Sequence, residues 1–217
     1  SEVDKRGKLY KAVSKKGSVV EFTAQNEQTL TRWILGILKT EGKMITSGAM
    51  KQFLEKTGTD MERIRQELEK LICYCMEKES ITEEDVAVIC SEQTENKIFD
   101  MINAMAEKKQ KKAMELYYDL LALKEPPMRI LYLITRQFNL LMQVKELSEE
   151  GYSAKTISER LKMAGFIVRN CLRQAEYFSL KTLKEALQDC VRMEEAVKTG
   201  RMNDVMSVEL LLVKYSS

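Results

Sequence analysis

The chain has 217 residues, 44% of them hydrophobic and 31% charged, and its 35 basic and 33 acidic side chains leave a formal net charge of +2. It contains no histidine, which removes the usual general base at neutral pH, the usual metal ligand and every Ser-His or Cys-His pair. Residues 1–17 carry six basic against two acidic side chains, so residues 18–217 sum to about −2 and lack the electrostatic footprint of a DNA-binding domain.

Two prolines and nine glycines among many Leu, Met, Glu and Lys predict a mainly α protein, long enough for one core or two small domains. No run approaches 18 consecutive apolar residues, and the N-terminus resembles neither a signal peptide nor a transit peptide, so a soluble, cytoplasmic chain is expected. The five cysteines form no secreted-domain framework and read as reduced, mostly buried thiols.

Taken in chain order, Leu9, Tyr10 and Val13 predict a helix that Gly17 stops, and SVVEF (18–22) reads as a short strand with nothing to pair with. From Asn26, the face Leu30, Trp33, Ile34, Ile37 and Leu38 predicts a helix stopped by Gly42, followed by a short one over 47–56. Thr59 and Glu62 then read as a capping box ahead of the stripe Met61, Ile64, Leu68, Leu71 and Cys75, and Thr82 caps a last short helix. Residues 23–92 thus form a small helical bundle.

A second helical unit, residues 94–217, carries the stripes Ile98-Met101-Ile102-Met105 and Ala113-Leu116-Tyr117-Leu120-Leu121. Pro126-Pro127 ends one helix and opens another whose apolar residues lie nearly all round, as expected of a central helix. Ser153, Ser179 and Asn203 or Asp204 are N-cap candidates, and Gly200 ends the long helix before the last one.

The chemistry-bearing patterns are few. GILKTEGKM (36–44) has five residues between its glycines and Met44 after the lysine, so it reads as a helix end rather than a phosphate loop. Cys73 and Cys75 lack the further ligands that zinc needs, and Glu83, Glu84 and Asp85 suit the positive end of a helix. Lys108, Lys109, Lys111 and Lys112 read as a solvated turn between helices, with weak phosphate contact as the alternative. Residues 153–178 have the helix, glycine turn and helix of a DNA-reading helix-turn-helix, but the second helix starts Phe166, Ile167, Val168, where a recognition helix needs polar residues. No catalytic, cofactor-binding or metal-binding residue is assigned, and an enzyme would need a base other than histidine.

An ordered set of stretches gives a family resemblance: DKRGKLYKAV with GSVVEF; ERIRQELEKLICY followed by ITEEDV; KIFDMINAM with LALKEPPMRILYLITRQFNLLM; then GYSAKTISERL, QAEYFS, and VKTG followed by SVELLL. Together they resemble the delta subunit of the bacterial DNA polymerase III clamp loader. Two features depart from it: the turn carries KKQKK, and Glu194 stands four positions before Lys198 where an aspartate is more usual.

The resemblance implies a non-catalytic subunit of a DNA polymerase (nucleotidyltransferase) holoenzyme, without cofactor, that supports loading of the sliding clamp during replication. It implies that residues 1–22 are a remnant of a first, nucleotide-fold-like domain that binds the clamp, that 23–92 are a lid domain, and that 94–217 are a collar domain joining other clamp-loader subunits. DNA contact in the assembly is expected to be weak and non-specific, with no membrane association. Apolar side chains on the last helix, Met206, Leu210 and Tyr215, are the candidate subunit interface. The rival reading is a helix-turn-helix DNA-binding protein using residues 153–178.

Overall fold

The computed structural model describes residues 4–20, 25–91 and 94–216, among which twelve helices and one pair of two-residue strands are found. The mainly α expectation holds, and among the described residues no helix is long and apolar enough to cross a membrane.

Helix α1 (Lys8–Lys16) ends where Gly17 N donates to Val13 O, as the glycine predicts, but it buries no side chain. Leu9 is 80% exposed. The strand expected over 18–22 is not formed at Ser18, Val19 and Val20, and positions 21 and 22 lie outside the described residues. Strand backbone needs a partner edge, and residues 18–20 have none, so the β-branched side chains alone do not hold an extended ladder.

Four helices then build the first core: α2 (Glu27–Thr40), α3 (Ser47–Thr57), α4 (Met61–Tyr74) and α5 (Glu83–Ile89). Asn26 Oδ1 accepts from Thr29 N at 2.9 Å and Thr46 Oγ1 from Ala49 N at 3.0 Å, closing two N-termini. The helices bury one apolar stripe each, centred on Leu30, Ile34, Phe53, Ile64, Leu68 and Leu71. At about 1.5–3 kcal/mol for each large side chain buried, this packing, rather than propensity, holds such short helices.

Two details differ from the sequence reading. The N-cap of α4 is Asp60, whose Oδ1 accepts from Arg63 N at 2.9 Å, so the Thr59–Glu62 box is not used, and Met61 is 41% exposed rather than part of the buried stripe. Two cap-competent residues stand side by side there, and the carboxylate, which also complements the helix dipole, takes the position. The second difference is a parallel pairing of β1 (Met44–Ile45) with β2 (Ser80–Ile81), which ties the α2–α3 turn to the α4–α5 turn. Two residues are too few for any alternation signal.

The second core gathers α6 (Thr94–Ala106), α7 (Gln110–Ala122), α8 (Pro127–Glu149), α9 (Ala154–Leu161), α10 (Gly165–Ala175), α11 (Leu180–Lys198) and α12 (Asp204–Ser216). Pro127 opens α8, where its missing N–H costs nothing. Helix α8 is central as expected and packs against α6, α9, α10, α11 and α12. Its Phe138 ring meets Phe178 edge-on at 6.0 Å and Tyr215 at 6.0 Å. One face nonetheless stays in solvent, with Arg129, Tyr132, Arg136 and Asn139 exposed along it.

Buried polar groups in this core are paired. Gln174, 1% exposed, donates to Phe99 O at 2.9 Å and Asn103 Oδ1 at 2.7 Å, and accepts from Gln137 Nε2 at 2.7 Å, which fixes α6, α8 and α10 against one another. The two cores meet through few polar contacts. Asn96 Nδ2 donates to Glu55 O at 3.1 Å and Lys56 O at 3.4 Å at the end of α3, and Arg169 reaches Glu27 at 3.3 Å.

Candidate functional site

The candidate surface is the outer face of α12. Asn203 Oδ1 caps this helix by accepting from Val205 N at 2.9 Å and Met206 N at 3.3 Å. Val208, Leu211 and Leu212 are fully buried, while Met206, Leu210 and Val213, at i, i+4 and i+7, are 52%, 44% and 39% exposed. The helix is apolar on both sides, so one stripe joins the core and the other faces solvent.

Hydrogen bonds from other helices fix this stripe in place. Tyr117, fully buried, donates its hydroxyl to Val205 O at 3.2 Å, and Tyr118 donates to Glu209 Oε1 at 2.7 Å. Burial, together with the charges of Glu209 and Asp204, raises the Tyr117 phenol pKa well above its ordinary value, so it stays a donor. At the other end, Asp189 of α11 accepts from the Tyr215 hydroxyl at 2.7 Å and from the Lys214 ammonium, with Arg192 at 3.4 Å. Burial opposes ionisation of Asp189, but those donors outweigh it and its pKa is lowered.

Tyr215 therefore does not lie on the exposed face with Met206 and Leu210. It is 7% exposed, its ring against Phe138 and its hydroxyl on Asp189. Its burial, and then the Asp189 hydrogen bond, push its phenol pKa upward. Val213 takes its place on the outer stripe.

The four candidate lysines are not equivalent. Lys108 adopts φ 59° and turns its ammonium towards Tyr215 O at 3.5 Å, and Lys109 pairs with Glu107 at 2.6 Å. Helix α7 starts at Gln110, so Lys111 and Lys112 belong to its first turn rather than to a loop. Both are exposed there, in an unfavourable place for cations beside a helix N-terminus.

Lys43, the lysine of the near phosphate loop, is committed elsewhere. It donates to Cys75 O at 2.9 Å, Met76 O at 2.8 Å and Lys78 O at 2.6 Å, closing the carbonyl end of α4. Asp85 accepts from Thr82 N at 2.9 Å and from Lys78 Nζ at 2.6 Å, and Lys78 is the main cause that lowers its pKa to about 2. Cys73 is exposed and the other four thiols are buried, all of them free. Burial pushes Cys90, Cys171 and Cys190 up to about 11, which keeps them protonated. Among the described residues no group of three or more His, Cys, Asp or Glu side chains could hold a metal ion.

The helix-turn-helix reading is not supported. Phe166 and Val168, where base-reading side chains would stand, are only 6% and 0% exposed, Val168 within the second core. What the sequence reading missed is an open cleft of about 1120 Å³ between the two cores, bordered by α3 and α4 on one side and by α6, α8 and α10 on the other. The one local signal was Arg136, a cation interrupting the apolar run of α8.

Comparison with known proteins follows the same outline. Residues 95–215 match the family described as "DNA polymerase III delta subunit, C-terminal domain". The chain is 32% identical over 213 residues to the DNA polymerase III subunit delta of Bacillus subtilis (strain 168), covering 98% of this chain and 61% of that protein. It is 25% identical over 142 residues to the probable DNA polymerase III subunit delta of Aquifex aeolicus (strain VF5), covering 65% of this chain and 41% of that one. The solved structure of the Bacillus subtilis DNA clamp loader delta protein superposes with a TM-score of 0.79 at 31% identity, over 99% of this chain and 63% of that one. The chain thus spans about three fifths of the first of these relatives.

Proposed function

The chain belongs to the DNA polymerase III delta-subunit family, and on that premise we propose that it is the assembly portion of a non-catalytic clamp-loader subunit. In this reading residues 94–217 are the collar that joins the other loader subunits, residues 23–92 are the lid, and residues 1–22 are the end of the clamp-binding domain. The observation that carries it is the apolar stripe Met206, Leu210 and Val213, exposed on a helix whose other sides are held by the core and by Asp189, Tyr117 and Tyr118. An exposed apolar row on a fixed helix is the form that subunit interfaces take.

The remaining partners follow as part of the same proposal. The clamp is reached through the first domain, and the intact subunit works in the cytoplasm within the polymerase holoenzyme. DNA contact is weak and non-specific, and of the four candidate lysines Lys111 and Lys112 are the better placed, since Lys108 and Lys109 are engaged within the chain. Co-elution of the purified chain with the other loader subunits tests the reading. Joint elution is expected, and it should be lost in Met206→Glu/Leu210→Glu with thermal unfolding unchanged; failure of the unaltered chain to associate would sink it.

A further inference from the structure

We propose that the cleft between the two cores binds a short acidic, apolar-anchored peptide segment of another polypeptide, held by Arg136 and Arg173. Arg136 on α8 is exposed and, among the described residues, has neither a hydrogen bond nor an ion pair. Arg173 on α10 also borders the cleft, and among the described residues its one hydrogen bond is to the neutral amide of Asn170. Arg129, also in the cleft, is paired with Glu125, and outside the cleft Arg65 pairs with Glu69, Arg169 with Glu27 and Arg201 with Glu195. Arg136 and Arg173 thus leave two guanidinium groups without a carboxylate on one wall of the cleft, and guanidinium is the group best shaped to clasp one.

The floor beside them is apolar. Phe166 is nearly buried there, and Leu140, Met163 and Ile167 are half-buried, leaving apolar surface open to the cleft. A carboxylate with adjacent Leu, Ile or Phe side chains complements this pairing of charge and apolar surface.

Charge also separates a peptide from nucleic acid. Five cationic side chains line the cleft against six acidic ones, and Glu55, Asp60 and Glu62 stand on the α3–α4 wall, where the cations Lys56 and Arg63 are engaged with the main-chain carbonyls of Cys90 and Ser91. A polyphosphate running through the cleft meets that acidic wall, whereas a segment with one or two carboxylates at the arginine end does not.

The test is a random peptide display selection on the purified chain, followed by fluorescence anisotropy with the best synthetic peptide. Selected peptides should carry Asp or Glu within a few positions of Leu, Ile or Phe. Affinity should fall at least tenfold in Arg136→Glu and in Arg173→Glu, and stay unchanged in Arg32→Glu, an exposed cation of α2 outside the cleft. Both cleft arginines are exposed, so circular dichroism and thermal melts should match the parent, and Arg136→Ala gives a milder second variant. Selection without acidic enrichment, or binding indifferent to both arginines, overturns the proposal. A 20-nucleotide oligo-dT measured alongside should not depend on Arg136. If it binds more tightly than the peptide and loses that binding in Arg136→Glu, the cleft is a nucleic-acid site and the proposal falls.

Discussion

Replacing Lys43 by methionine keeps the apolar stem and removes the ammonium that three carbonyls share. The contacts to Cys75, Met76 and Lys78 oxygens are 2.9, 2.8 and 2.6 Å long. A hydrogen bond to a charged group contributes about 1.5–3 kcal/mol net, but the bonds to Met76 and Lys78 are exposed, and water can replace the ammonium there. The loss should therefore be close to that of one such bond, about 2 kcal/mol, rather than the sum of three. For a chain of this length it corresponds to a fall in Tm of about 4–8 °C. The urea midpoint should fall with an unchanged slope, and amide exchange should quicken at Met44 and Thr46, whose N–H groups bond to Glu79 O and Ile81 O across the same turn. Lys39→Met, in the exposed last turn of α2, is the control and should cost little. If Lys43→Met proves as stable as that control, the ammonium is not what closes α4, and the reasoning fails.

Other predictions rest on single contacts. A Cβ at Gly48 would collide with Glu83 Oε1, displacing a carboxylate whose Oε2 accepts from Thr46 Oγ1 at 2.9 Å. Gly48→Ala should then be near neutral alone but stabilising by about 1 kcal/mol in a Glu83→Ala background, read from a double-mutant cycle in urea. Asp85 has its pKa lowered from 3.8 to about 2, so the stability it contributes is present above pH 4 and lost as pH falls towards 2. That loss should be at most about 2 kcal/mol, and acid titration of Asp85→Asn should lack it. Gln174→Leu strands Phe99 O and the Asn103 and Gln137 amides, and should cost about 2–3 kcal/mol in denaturant melts.

Much of the architecture is written in local signals. Asn26, Ser153 and Ser179 cap the helices they precede, because a cap needs only a side chain and an amide three residues on. Ile98, Met101, Ile102 and Met105 enter one core, and Leu30, Ile34 and Leu38 the other, because one apolar stripe leaves one way to turn. Tyr215 could not be placed in this way. Helix α12 is apolar on both sides, and the residue that draws Tyr215 inward, Asp189, lies 26 positions earlier in the chain. The cleft was equally hidden, since its two walls come from helices that meet only once both cores have formed.

The same non-local logic governs the lysines, which bears on how the basic surface is read. Four of them close the carbonyl ends of helices to which they do not belong. Lys43 serves α4, Lys56 reaches Ala87 O and Cys90 O at 3.1 Å at the end of α5, Lys145 reaches Ala175 O at 3.1 Å at the end of α10, and Lys108 reaches Tyr215 O in the last turn of α12. The carbonyl end of a helix carries partial negative charge and unpaired acceptors, so an ammonium serves both needs. A lysine used in this way is withdrawn from any polyanion. Counting basic residues along the sequence therefore overstates the positive charge available to phosphate in the second core. Within the 107–112 segment the charge left free belongs to Lys111 and Lys112, a pair too small to neutralise more than about two phosphates, and affinity for DNA should change with salt by a correspondingly shallow slope.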